Sequence, residues 1–231
     1  MNRVVAVIPA RLDSTRFPAK MIADETGKPL IQYAWEVATQ ASSVDQVLVA
    51  TDAPLIADVV NAFGGECVMT GEHPNGTSRI AEATANFECD LVVNMQGDEP
   101  ELDPSVIDAL VHSIGTYSMG TACCPLYPEE RDNENVVKVI LGEDGTAADF
   151  VRQMPRCDAF RHLGLYVYTP EFLQQFVSML PTENERTRRL EQMRAVDHGY
   201  SIAVASVAPQ PSGIDTPEQY ASFVARVNRG L

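Results

Sequence analysis

Val4-Val5-Ala6-Val7-Ile8-Pro9-Ala10-Arg11-Leu12-Asp13-Ser14-Thr15-Arg16-Phe17-Pro18-Ala19-Lys20 is the stretch on which the fold turns. Val4 to Pro9 reads as a short, fully buried strand. The loop behind it carries three cations, Arg11, Arg16 and Lys20, within ten residues. An open α/β sheet places its ligands in such a loop, outside the carboxyl end of a strand. Backbone N–H groups there, together with Arg11 and Lys20, can hold a polyphosphate and neutralise charge on a departing group. The chain has no G-x-x-x-x-G-K-[ST] sequence, so a Walker-type loop is not what holds it. Three cations alone fit a solvated loop equally well; their place after the first strand favours a ligand.

Working outward, short apolar runs alternate with helical patterns, as a mostly parallel sheet with crossover helices requires. Pro29 fits a first helical position, and Leu30, Ile31, Ala34, Trp35, Val37, Ala38 and Ala41 form an apolar face at helical spacing. Gln46 to Thr51 reads as the second strand, and the helix after it can end at Gly64-Gly65. Glu66 to Met69 is the third strand, Ser78 to Asn86 a helix, and Leu91 to Gln96 a central strand, with a further helix from near Pro104. From about 121 to 170 the texture becomes β-rich: Val136 to Leu141, Asp149 to Met154 and His162 to Thr169, with Gly142-Glu143-Asp144-Gly145 as a hairpin turn. This segment is expected to form a small lobe. Helical segments at Pro170 to Met179 and Glu183 to Val196, a strand at Ser201 to Val207 and a helix after Pro217 complete the chain. The expectation is one α/β domain over 1–231, a mixed, mostly parallel sheet flanked by helices.

With 45% apolar residues over 231 positions, the chain can bury about 70% of its unfolded surface without a staple. Cys67, Cys89, Cys123, Cys124 and Cys157 are odd in number and lack C-x-x-C spacing, so they read as reduced, mostly buried thiols. A formal charge of −15 disfavours nucleic acid and anionic membranes as partners. An anionic substrate would therefore need a local basic island. No run approaches the roughly 18 apolar residues of a membrane span, and the opening apolar run is too short for a signal sequence. A cytoplasmic location without membrane insertion is expected.

Three more places can carry chemistry. Gln96-Gly97-Asp98-Glu99-Pro100 ends an apolar strand, where a carboxylate can help bind Mg²⁺, a hard ion usually held by one or two carboxylates plus substrate phosphates. Read locally, it is also simply an acidic turn. Asp215, in Ser212-Gly213-Ile214-Asp215-Thr216-Pro217, reads locally as a helix N-cap, and a second carboxylate converging with Asp98 would complete a metal site. In Arg161 to Tyr168, alternation places His162, Gly164, Tyr166 and Tyr168 on one face, fit either for sugar hydroxyls or for an ordinary half-buried strand.

In this order and at these separations the segments resemble the 3-deoxy-manno-octulosonate cytidylyltransferase (CMP-Kdo synthetase) family over nearly the whole chain. The matching pieces are Ile8 to Arg11, Ser14 to Pro18 with Lys20, Ala50-Thr51-Asp52, Gly76 to Arg79, Asn94 to Pro100, Arg161 to Gly164, Leu190 to Arg194 and Gly213 to Pro217. The resemblance implies a Rossmann-like nucleotidyltransferase fold and transfer of CMP from CTP to a 2-keto-3-deoxy sugar acid for lipopolysaccharide biosynthesis. It implies nucleotide contacts from Pro9, Ala10, Arg11, Ser14, Lys20, Arg79 and Gln96, with Arg11, Lys20, Asp98 and Asp215 catalytic. It further implies Mg²⁺ on Asp98 and Asp215, a sugar side of Arg152, His162, Tyr166, Glu191 and Gln192, and a homodimer with the β-rich lobe at its interface. The chain departs from the family pattern at Val151 to Arg156, where a serine is lost and arginine spacing altered, and at Arg188, where a glutamate is expected. Those departures leave 8-amino-Kdo or a nonulosonic acid open as the acceptor, and a non-catalytic nucleotide-binding protein is the alternative class.

Overall fold

The computed structural model describes residues 2–13 and 16–230. In chain order its elements are β1 (Val4–Ala10), α1 (Leu30–Gln40), β2 (Gln46–Thr51), α2 (Pro54–Ala62), β3 (Glu66–Met69), α3 (Gly76–Thr84), β4 (Leu91–Asn94) and α4 (Pro104–Ser113). There follow β5 (Met119–Cys124), β6 (Lys138–Leu141), β7 (Ala147–Val151), β8 (Phe160–Tyr168), α5 (Pro170–Ser178), α6 (Glu183–Arg188), α7 (Met193–Asp197), β9 (Ala203–Ser206) and α8 (Pro217–Val227). The strands form one sheet in the order β3-β2-β1-β4-β8-β5-β9. Along that path β8 is antiparallel to both its neighbours, while the remaining pairs are parallel.

Strand β1 shows why the sheet is buried on both faces. Val4, Ala6 and Ile8 pack on one side with Ile31, Ala34, Val37, Ile56, Val106 and Leu110 of α1, α2 and α4. Val5 and Val7 face the other way, among Ile80, Phe172, Leu173, Phe176 and Met193 of α3, α5 and α7. Side chains alternate faces along a strand, so an unbroken apolar run suits a strand covered twice. A third cluster docks α8: Tyr220 and Phe223 pack with Leu30 and Ile214, and Phe17 lies 5.3 Å from the Tyr220 ring. No helix among the described residues is long and apolar enough to cross a membrane.

The sequence reading is corrected in several places. Pro29 caps α1 from outside rather than starting it. Within the β-rich stretch β5 and β8 belong to the central sheet, and β6–β7 is a hairpin hung on β8, off the main strand order. Strands β6 and β7 are also shorter than expected, and the β7 segment begins and ends earlier than Asp149 to Met154. The hairpin turn does fall at Gly142 to Gly145, where Gly145 takes φ +78°. The single helix expected over 183–196 is two, because Arg189 adopts φ 55° in the left-handed region and closes α6. Helical spacing cannot register such a break when the residue making it is not glycine.

Phe150 anchors the hairpin: fully buried, its ring meets the His162 ring edge-on at 5.1 Å. Phe150→Ala should cost about 3 kcal/mol or more by leaving a cavity under β8. Urea unfolding would show this as a lower midpoint at unchanged slope.

Candidate active site

At the carboxyl ends of β1 and β4 a cleft of about 350 Å³ opens, lined by Pro9, Ala10, Arg11, Arg16, Lys20, Arg79, Gln96, Asp98, Asp215 and the segment from His73 to Gly76. Eight of the residues expected to contact nucleotide or metal are therefore brought together: Pro9, Ala10, Arg11, Lys20, Arg79, Gln96, Asp98 and Asp215. Ser14, also expected there, lies outside the described residues. Arg11, Arg16, Lys20 and Arg79 set four cations against two carboxylates in this wall, which makes it the basic island of an acidic chain.

Lys20 stands at the centre. Only 5% exposed, its ammonium donates to Asp98 Oδ2 at 2.6 Å and to the Ile214 carbonyl at 2.7 Å, and lies 3.9 Å from Asp215 Oδ1. Arg16 reaches the same Asp215 oxygen at 2.8 Å. Two carboxylates distant in sequence thus converge on one cation. The convergence is built from the backbone: the Ile214 N–H donates to the Asp98 carbonyl at 2.8 Å, and Arg161 holds the approach by donating to the Gln210 carbonyl at 2.8 Å and the Pro211 carbonyl at 2.6 Å. Gly213 is needed there, since a Cβ would stand 2.8 Å from Glu99 Oε1 and 3.1 Å from the Asp98 carbonyl oxygen.

The N-cap assignment for Asp215 is corrected here. Thr216 caps α8, accepting from the Gln219 N–H while the Gln219 side chain accepts from the Thr216 N–H, with Pro217 in the first turn. Shifting the cap by one residue leaves the Asp215 carboxylate free for the cleft. Behind Asp98, the half-buried Glu99 carboxyl is pushed up to about 8, by desolvation first and then by the neighbouring Asp98 carboxylate. It is neutral at pH 7, so it adds no third anion to the centre.

Arg79 is fixed by Asp52 at 2.8 Å and by the Thr70 hydroxyl at 2.7 Å, and its guanidinium holds the Asp52 carboxyl below the usual range. Gly76 lies where a Cβ would come within 3.0 Å of Pro9 Cγ, so the start of α3 presses on the end of β1. Among the described residues no group of three or more His, Cys, Asp or Glu side chains is placed to hold a metal. The Asp98 and Asp215 pair still fits a hard divalent ion whose remaining ligands are substrate phosphates and water.

The expected sugar side lies beside this cleft. Asn94 on β4 pairs with Tyr166 on β8 and accepts from Gln96 Nε2 at 3.1 Å. From there a ladder of rings runs along one face of β8, Tyr168 and Tyr166 centroids 6.0 Å apart, Tyr166 and His162 5.5 Å apart. Burial pushes both phenols up, and Glu191 adds to the shift of Tyr166. His162 Nε2 lies 2.9 Å from Thr121 Oγ1, whose proton goes to the Leu165 carbonyl at 2.8 Å. The imidazole is therefore the donor in that pair, and Nδ1 is left as an acceptor. Glu191 is held by Thr77 at 2.6 Å and Asn75 at 2.8 Å, and burial pushes its carboxyl up. Gln192 is 4% exposed at the head of α7.

Arg152, also expected on the sugar side, is engaged by backbone carbonyls. Its guanidinium donates to the carbonyls of Arg188 at 2.9 Å, Arg189 at 3.0 Å and Glu134 at 3.2 Å. It pins the turn that carries Glu191. Arg188 likewise turns to Asp149 Oδ1 at 2.5 Å and the Phe150 carbonyl at 3.0 Å. The sequence reading missed Arg16, His73 and Asn75 as lining residues. Arg16 had a signal, being a cation of the same loop; Asn75 had none beyond preceding Gly76.

The cytidylyltransferase family model matches residues 5–202. A 3-deoxy-manno-octulosonate cytidylyltransferase from Syntrophotalea carbinolica is 43% identical over 99% of both chains, and one from Anaeromyxobacter sp. is 42% identical over 94% of both. Among solved structures, CMP:2-keto-3-deoxy-manno-octonic acid synthetase complexed with CTP superposes with a TM-score of 0.94 at 33% identity, over 99% of this chain and 100% of that one. The inositol-1-phosphate CTP transferase of T. maritima, at 15% identity and a TM-score of 0.72, shares the fold.

Gly213→Ala should push the Asp98 and Asp215 segments apart, lowering turnover at least tenfold with a smaller loss of stability; steady-state rates beside urea unfolding would separate the two. Desolvation holds His162 down to about 3, against an unfolded value near 6.5. A depressed histidine contributes stability that is complete above the unfolded value and is lost as pH falls from about 6.5 toward 3. The unfolding midpoint of His162→Gln should therefore fall less than that of the wild type between pH 7 and 5.

Proposed function

The chain belongs to the 3-deoxy-manno-octulosonate cytidylyltransferase family, and from that premise we propose how its cleft carries out the reaction. The enzyme transfers CMP from CTP to the anomeric hydroxyl of 3-deoxy-D-manno-octulosonate, Kdo, and releases pyrophosphate. Its product serves lipopolysaccharide biosynthesis. The single observation that carries the mechanism is the convergence of Asp98 and Asp215 on the Lys20 ammonium in a cleft that Arg11, Arg16 and Arg79 also line.

The difficulty of the reaction is charge. A triphosphate, a sugar carboxylate and a developing alkoxide meet in one place, and two like charges 4 Å apart cost about 4 kcal/mol even at an effective dielectric of 20. Arg11, exposed at the mouth, and Arg79, fixed by Asp52 and Thr70, are positioned to bind the nucleotide. Lys20 comes from the same loop and is placed to follow the negative charge that builds on the leaving pyrophosphate. The ion proposed for Asp98 and Asp215 is Mg²⁺, which when bound lowers the acceptor hydroxyl pKa and neutralises the α-phosphate. Neutral His162, with Nδ1 free to accept, and the phenol of Tyr166 then serve to orient sugar hydroxyls rather than to move a proton.

Arg188 and Arg152 bear on the choice of acceptor. Both are engaged by groups of the protein itself, Asp149 and the carbonyls of the 188–189 turn, so neither is placed to select the acceptor by its charge, and the relatives at 42–43% identity are named for Kdo. This supports Kdo over its amino analogue. A homodimer and a cytoplasmic location complete the proposal, supported by the family pattern.

Asp98→Asn should lower kcat by at least about 100-fold while circular dichroism at 25 °C stays that of a folded protein and the unfolding midpoint falls, because buried Lys20 loses its nearest charged partner. Near-normal turnover at saturating CTP would remove Asp98 from the centre. Pyrophosphate release measured with CTP, UTP, ATP and GTP against Kdo, 8-amino-Kdo and a nonulosonic acid should be fastest for CTP with Kdo. CTP binding without release for any acid would leave only a nucleotide-binding protein.

A further inference from the structure

The wall of the nucleotide cleft and the sugar side share one joint. Asn75 lines the cleft and caps α3: its Oδ1 accepts from the Ser78 N–H at 2.8 Å and from the Ser78 hydroxyl at 2.8 Å. Its Nδ2 points the other way and donates to Glu191 Oε1 at 2.8 Å. Two residues on, Thr77 donates to Glu191 Oε2 at 2.6 Å from a buried position. Both carboxylate oxygens of Glu191 are thus tied to the first turn of the helix whose start presses on Pro9. The orientation of the Asn75 amide is unambiguous, because turning it over would set an oxygen against the carboxylate and an NH₂ against a backbone N–H.

We propose that Asn75 is a positioning residue that couples the two substrate sites, fixing Glu191 for the sugar acid through the helix start that forms the nucleotide wall. The proposal rests on the placement of Glu191 at the sugar side. Among the described residues no other short side-chain contact sets the Glu191 rotamer; Arg194 is 4.0 Å away. Its own turn begins at left-handed Arg189 and is held from beneath by Arg152, which leaves the carboxylate itself to Asn75 and Thr77. Occupancy of the cleft at Asn75 and Gly76 is therefore felt at Glu191 with no intervening rearrangement.

The discriminating variant is Asn75→Asp. It keeps the oxygen that caps α3, removes the donor to Glu191 and sets a like charge against it. The unfolding midpoint should stay close to wild type, while KM for Kdo at saturating CTP rises about tenfold and kcat falls by less. Asn75→Ala should raise the same KM and also lower the midpoint, since the cap is lost. In Asn75→Asp/Glu191→Gln the repulsion is gone, so KM for Kdo should be no higher than in Glu191→Gln alone. Additive effects in that pair overturn the coupling, as does a wild-type KM for Kdo in Asn75→Asp when Glu191→Gln raises it. A wild-type KM for Kdo in Glu191→Gln overturns the sugar-side placement of Glu191 and the coupling with it.

Discussion

The structure depends on one buried ammonium. Lys20 binds the carboxylate of a residue 78 positions downstream and the carbonyl of another 194 positions downstream, and so ties the first loop, the end of β4 and the approach to α8 into one centre. A lysine this far from water needs compensating groups, and the chain supplies two aspartates and a carbonyl. The same compensation draws Asp98 and Asp215 together against their mutual repulsion. Two carboxylates and a carbonyl thus hold one ammonium at the point where the first loop, β4 and the approach to α8 meet.

Much of this was legible in the residues. Strand β1 and its cationic loop, the third strand at Glu66 to Met69 and the face of β8 carrying His162, Tyr166 and Tyr168 all follow from apolar runs and alternation, which are local properties. The pairing of Asp98 with Asp215 was legible only through the family pattern, since no periodicity connects an acidic turn with a segment more than a hundred residues away. The cap of α8 shows the limit within a single turn: Asp215 and Thr216 are both good caps, and only the reciprocal bond of Gln219 decides for threonine. The double helix at 183–197 was hidden because a left-handed arginine leaves no mark in composition. The bonds Arg152 makes were hidden for a similar reason, as an arginine that binds backbone carbonyls looks in sequence like one that binds an anion.

Electrostatics arranges the molecule at two scales. The net charge of −15 sets up an overall field that disfavours anions, while four cations gathered along one cleft form a local well for a polyphosphate. Beside that well the groups are neutral by environment: His162 is kept unprotonated, Glu99 protonated and the two phenols of β8 uncharged. Positive charge on one side and neutral hydrogen-bonding groups on the other match a highly charged nucleotide meeting a hydroxyl-rich acid.

The docking of α8 has a consequence for how the protein comes into being. Tyr220 and Phe223 seat this helix on Leu30 and Ile214, and that seating joins the backbone bonds of Ile214 in holding Asp215 at the centre. During synthesis the sheet and its cationic loop can form while the ribosome still holds the last segment, yet a nascent chain in that state owns half of its acidic pair. The final helix therefore helps complete the centre, and a polypeptide cut short ahead of residue 214 would lack both the Asp215 carboxylate and the Ile214 carbonyl that meet Lys20.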